Sequence, residues 1–200
     1  MNYDNFINKY WKYYLTLENK FIETINYVEL DELNFETFSN NYAMLLQAIG
    51  SEINNTFKEL CVYENDENKG IKDFSKFIKD SFPELASLEI IVIGYDITFS
   101  PFESWRNGNF NNSPKWWSAY NKIKHSRIAS YNEASLKNVL YALGALMLIE
   151  IITIKAISIK NVDVPDAPVI PSSLFSIKNW KFKYVLKFPN LDSWITLTDE

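Results

Sequence analysis

Trp116-Trp117-Ser118-Ala119-Tyr120-Asn121-Lys122-Ile123-Lys124-His125-Ser126-Arg127 begins just after Pro114 and leads, through a short polar turn, into a segment from about Glu133 to Glu150 that is Ala, Leu and Ile on nearly every side. This pair predicts two consecutive helices. A helix without a polar face needs neighbours all round it, so the second is expected at the centre of a helical fold. Ser113 and Pro114 are expected to start the first, the serine as a cap and the proline in the first turn. The second should end near Lys160, because Val162 to Pro171 holds three prolines and cannot continue it. Val139 to Ile159 is also long enough to cross a bilayer. It contains Glu150 and Lys155, however, and a charge at mid-span costs about 2.5–3.5 kcal/mol on insertion scales. A buried core helix, with no membrane partner, is the expectation.

Working outward, Tyr3 to Val28 reads as a long amphipathic helix with Ile7, Tyr10, Trp11, Tyr14, Phe21, Ile25 and Val28 on one stripe. At about 100° per residue, Glu18 falls inside that stripe, between Tyr14 and Phe21. A second helix is expected from about Glu36 to Val62, with Gly50 and Ser51 in its middle, where small residues lower helix propensity but let another backbone come close. Asn65 to Gly70 reads as a polar loop, and Ile71 to Asp80 as a third, shorter helix ended before Pro83. Leu88 to Phe99 is β-branched and reads as strand or extended chain, stopped by Pro101. Pro101 to Ser113 is a Gly/Asn-rich loop centred on Trp105 and Arg106, of a length that tends to be functional or mobile. After the prolines, Phe175 to Thr198 alternates as a hairpin would, with Trp180, Phe182, Tyr184 and Leu186 on one face and Pro189-Asn190 in the turn. The fold class expected is therefore mainly α: an antiparallel helical bundle over residues 1–160 with a short extended segment near 88–99. Residues 161–200 form a Pro-rich connection and a small β-like tail packed on it.

Composition narrows the chemistry. Hydrophobic residues make up 47% and aromatic residues 16% of 200 residues, enough for one aromatic-rich core. A net charge of -5 argues against a broad cationic nucleic-acid face, though not against a local basic site. One cysteine, Cys61, excludes an internal disulfide, and one histidine beside it makes a structural zinc site a poor expectation. No cofactor or metal is expected. The N-terminal residues lack the cationic start and apolar run of a signal peptide, so a reducing, cytoplasmic setting is expected. The five glycines are scattered, which leaves no phosphate-binding loop, and no Gly-x-Ser-x-Gly elbow is present.

What remains is His125, the single histidine, among Lys124 and Arg127. Asn121 lies one turn before it on the same helical face, which Trp117 and Lys124 also reach. An imidazole beside cations able to hold a phosphate suits a general acid or base in phosphoryl chemistry. Bland alternatives stand beside each assignment. Trp116 shares a side with Ala119, Ile123 and Arg127, as a core residue would. Arg127 is also placed to pair with Glu18 or Glu52, and His125 to donate to a carbonyl near the helix C-terminus, where a cation is favoured. Glu18 must be paired, hydrogen-bonded or protonated, most simply by a tyrosine hydroxyl. Glu52, at the edge of its stripe, points either into a cleft or to solvent.

Pro101-Phe102-x-x-Trp105, Trp116-Trp117-x-x-Tyr120-Asn121-x-x-Lys124-His125-x-Arg127 and the helix over 134–148, together with Glu18 and Gly50-Ser51-Glu52-Ile53, resemble a group of bacterial HEPN-like proteins. The resemblance spans roughly residues 3–155 and is most specific in the Tyr-Asn-x-x-Lys-His-x-Arg segment. It implies an HEPN-like bundle that binds RNA or a nucleotide, or cleaves RNA without a metal, in a toxin or anti-phage setting. A second copy of the chain, and an antitoxin or other protein, are the partners it implies. Catalytic members carry Arg-x4–6-His with a polar residue after the arginine. Here His125 matches the histidine and Asn121 the polar residue, while Tyr120 stands at the arginine position and carries no fixed charge. On this resemblance His125, Arg127, Asn121 and Lys124 form the catalytic set. Tyr120, Trp117, Trp116, Arg106, Glu52 and Glu18 line the substrate, with the tryptophans as stacking surfaces for bases. Two other functions remain open at this point: a non-catalytic helical interaction module and a nucleotide-binding regulator.

Overall fold

The apolar stripe near the N-terminus does form one continuous helix, α1, over residues 3–25, in a computed structural model that describes residues 1–63, 69–161, 163–187 and 194–198. Its middle, Ile7–Trp11, widens into a π-helical turn, which the stripe did not announce. Helix α2, Asn40–Cys61, starts at Ser39, whose hydroxyl accepts from the Tyr42 amide. Helix α3 is Ile71–Ser81, α4 is Lys115–Ser126 and α5 is Leu136–Lys160. The result is a mainly helical bundle. As its composition demands, α5 is buried on nearly all sides, and α1, α2 and α4 all pack against it, α2 most extensively. It alone among the described helices is long and apolar enough to span a membrane, and most of it is covered by protein.

Two helix starts differ from expectation. Pro114 is the cap residue of α4 with no side-chain hydrogen bond, so Ser113 does not cap it. Helix α5 begins at Leu136, capped by Ser135, which accepts from the Asn138 amide. The chain before α2 lies alongside, with the Leu136 amide donating to the Thr37 carbonyl (2.8 Å).

The extended segment is also different. It is not one strand but a hairpin of two short ones, β1 (Ile90–Val92) and β2 (Thr98–Phe99), because Gly94-Tyr95-Asp96 turn the chain back. β1 pairs on its other edge with β3 (Phe175–Ile177), giving an antiparallel sheet in the order β2-β1-β3 with Ile90 opposite both Phe99 and Ile177. This sheet lies directly on α5. A Cβ added at Gly144 would meet Ile90 Cδ1 at 2.7 Å and the Phe99 ring at 2.9 Å, so the missing side chain is what lets strand and helix touch. The tail is thus knitted into the main body rather than laid on it. β4 (Lys183–Lys187) and β5 (Trp194–Thr198) form the expected hairpin, starting later than the alternation suggested. Pro189 and Asn190, its expected turn, lie outside the described residues, as do Val162 and most of the polar loop before Gly70.

Candidate functional site

Lys115 to Arg127 supplies the cluster, and its two sides have opposite fates. Trp116 is 1% exposed, Trp117 6% and Tyr120 6%, so none of the three aromatic rings offers an open face to a base. Trp116 Nε1 donates to the Pro101 carbonyl (2.8 Å), and its ring stands edge-on to Phe102 and Trp117. Phe102 in turn stacks on Trp105 at 4.7 Å. The Gly/Asn-rich loop is therefore an aromatic plug in the core.

Tyr120 is held still more closely. Its ring lies flat against α2 at Gly50: a Cβ there would sit 2.6 Å from Cε2 and closer still to Cγ and Cδ2. Trp117 packs on it with centroids 5.3 Å apart, and the Lys124 ammonium lies 5.7 Å from the centre of its ring. Tyr120 is thus part of the contact between α2 and α4.

Lys124, His125 and Arg127 occupy the exposed end of the same helix. No side-chain hydrogen bond or ion pair among the described residues engages His125, and no carboxylate pairs with Lys124 or Arg127. Arg127 reaches only the Asn40 side chain at the start of α2 (Nη1 to Oδ1, 3.4 Å), and not Glu18 or Glu52. Lys122, on the same helix, is taken by Glu133. Asn121 is half-buried and donates to the Trp117 carbonyl of its own helix (3.1 Å), so it shares a face with His125 without orienting it. The helix C-terminus carries about half a negative charge, which helps to hold three cationic or basic residues together there.

The other residues singled out lie elsewhere. Arg106 donates to Ser100 Oγ (2.6 Å) and faces Glu89, which is shared with Lys178 (2.7 Å). It clamps loop, strand and tail together. The two lysine and arginine partners hold the Glu89 carboxyl below its usual value.

Glu18 is closed to solvent. It accepts from the Tyr14 hydroxyl on its own helix, from the Ser172 hydroxyl, and from the Ser173 amide (2.9 Å) and hydroxyl (2.8 Å). With its acceptor sites filled by the chain itself, it is the anchor of the tail and has none left for a substrate. Tyr3 and Trp11 extend this seam by donating to the Ala167 and Ile170 carbonyls, each at 2.7 Å. Replacing Glu18 by alanine is expected to cost about 3 kcal/mol, since hydrogen bonds to a charged group are lost together and their donors stay buried. Limited proteolysis checks this: cleavage should appear between residues 161 and 187 at conditions where the wild-type chain is intact.

Glu52 is buried toward the bundle, with the Asn55 amide 3.3 Å from its Oε2, and burial pushes its carboxyl up. It does not join the cationic cluster. It acts instead on Glu150 of α5, which is wholly buried with neither oxygen hydrogen-bonded among the described residues, and whose carboxyl is pushed well up by burial and then by Glu52. Tyr10, on the π-helical turn, and Tyr14 feel Glu150 as well. Glu150 was visible as the one carboxylate in an otherwise apolar helix, but nothing in the spacing revealed its neighbours. Among the described residues no group of three or more His, Cys, Asp or Glu side chains is placed to hold a metal.

Comparison with protein-family models, with curated proteins and with solved structures finds no match to this chain.

Proposed function

We propose that the chain is an HEPN-like RNA-binding protein that contacts the phosphate backbone through Lys124, His125 and Arg127. The observation that carries this is the presentation of an imidazole, an ammonium and a guanidinium at one exposed helix end, with no carboxylate neutralising them. Phosphates are the natural partners of such a group, and a small number of contacts suits a chain whose overall charge is negative. His125 is also the one side chain there able to take the proton of a ribose 2′-hydroxyl, which would then attack the adjacent phosphorus, expel the 5′-oxygen and leave a 2′,3′-cyclic phosphate. Cleavage on this scheme needs no metal. The burial of Tyr120 against Gly50 favours binding over cleavage as the principal activity, because the position that carries a phosphate-stabilising cation in catalytic relatives is here committed to packing.

Single-stranded RNA and two measurements test this. Fluorescence anisotropy should show salt-dependent binding, and the Lys124→Ala/Arg127→Ala double variant should lower the slope of log K against log salt by about 1.4, two contacts at about 0.7 each. Incubation in EDTA should show any cleavage abolished by His125→Ala. No RNA binding at high protein concentration removes the proposal. Equal cleavage by wild type and His125→Ala removes the role of the imidazole. A purely structural cluster would instead lower the melting temperature of these variants and leave RNA affinity unchanged.

A further inference from the structure

The seam between the helices and the tail holds a partly open cavity of about 370 Å³, within the range of about 300–1,000 Å³ usual for small-molecule sites. Trp11 of α1 and Met147 and Ile151 of α5 line it from the helical side, and Pro168, Phe175 and Trp180 from the tail. Among the described residues, none that lines it is charged. Its polar groups are nearly all spent: Trp11 Nε1 on the Ile170 carbonyl, and Ser172 Oγ between Glu18 and the Phe175 amide. Among those shut from solvent the exception is the indole N–H of Trp180, which has no acceptor among the described residues. A buried N–H without a partner forfeits about 1–3 kcal/mol, so the site is one hydrogen bond short. Lys155 lies over the Trp180 ring at 4.7 Å and leans toward Glu84 (3.8 Å).

We infer that this cavity binds a neutral, largely apolar small molecule carrying one hydrogen-bond acceptor, which Trp180 Nε1 recognises. The uncharged walls reject an ionised ligand, whose desolvation nothing there would offset. The aromatic side chains of Trp11, Phe175 and Trp180 suit a flat ring. This site is separate from the cationic end of α4 and independent of RNA binding.

The test uses the full chain and 6-propionyl-2-dimethylaminonaphthalene, a neutral naphthyl ketone whose emission shifts to the blue on leaving water. 2-Propylnaphthalene, which lacks the acceptor, is followed by competition. The ketone is expected to bind saturably to the wild type. Trp180→Phe, which keeps an aromatic ring and removes the N–H, should weaken the ketone about fivefold, the worth of one ordinary hydrogen bond, and leave the hydrocarbon unchanged. Ile93, 47% exposed where it lines the cavity, offers a second variant that does not disturb the core: Ile93→Glu should weaken both molecules. Absence of saturable ketone binding, equal ketone affinity in wild type and Trp180→Phe, or indifference of both molecules to Ile93→Glu would each overturn the assignment.

Discussion

Glu150→Met is expected to stabilise the protein at pH 7, by about 1–3 kcal/mol, the worth of an unpaired polar group in a protein interior. Methionine follows the same unbranched path as glutamate and fills nearly the same space. The wild-type carboxyl lies at the centre of α5 with no exposure and no hydrogen bond, near a second buried carboxyl, Glu52, and the hydroxyls of Tyr10 and Tyr14. Nothing there favours the ionised form. The pH dependence follows in sign. In the unfolded chain Glu150 loses its proton near the ordinary value of 4.5, while burial holds the proton on in the folded chain to a much higher pH. Between those limits the folded state binds more protons, so stability falls as pH rises and is greatest below about pH 4.5 on this account. Chemical denaturation of wild type and Glu150→Gln at a series of pH values checks this. The glutamine variant, with nothing to ionise, should lose most of the alkaline slope, and Glu52, pushed up in the same direction, should account for part of the remainder. A wild-type profile that rises or stays flat from pH 5 to 8 would show that the carboxyl is ionised inside the bundle after all.

Gly50→Val is expected to be the most damaging single substitution at the α2–α4 contact, costing about 3 kcal/mol or more. The Tyr120 ring occupies the place of the missing side chain and cannot retreat, since Trp117 packs on it and Trp116 stands edge-on behind Trp117. Even Gly50→Ala should destabilise, although alanine is the better helix former by about 0.8–1.0 kcal/mol. In a Tyr120→Ala background the same Gly50→Ala change should become stabilising, because only the propensity term is left. Thermal unfolding of the four proteins of this cycle checks the reversal of sign. If Gly50→Ala destabilises equally in both backgrounds, the ring is not what excludes the Cβ.

Much of this architecture was legible beforehand. The apolar α5, the stripe of α1, the stop at the prolines and the small residue at position 50 each follow from one local rule of periodicity, propensity or backbone freedom. The π-helical turn at Ile7–Trp11 and the cap at Ser135 were not read from the sequence, nor was the hairpin within 90–99, whose first strand also pairs with Phe175–Ile177. The candidate site divides the same way. That Lys124, His125 and Arg127 would cluster could be read from adjacency on one helix end. Trp116 shared a side with Ala119 and Ile123 and could be read as core; that Trp117 and Tyr120 would turn inward, and that Arg106 and Glu18 would fasten loop and tail, could not, since a helix has two sides and its pattern is ambiguous where both are aromatic or polar.

By itself the sequence determined a helical bundle around an unusually apolar helix and a basic group with a single imidazole at the end of another. These depend on contacts within one or two helical turns, which the order of residues dictates. Only the tertiary structure decided which ring fills the gap at Gly50, which carboxylate anchors Ser172 and Ser173, and that the charge of Glu52 bears on Glu150 of α5. Those pairings join residues from about 70 to about 155 positions apart, and at such separations it is packing and the need to satisfy buried polar groups that choose the partner.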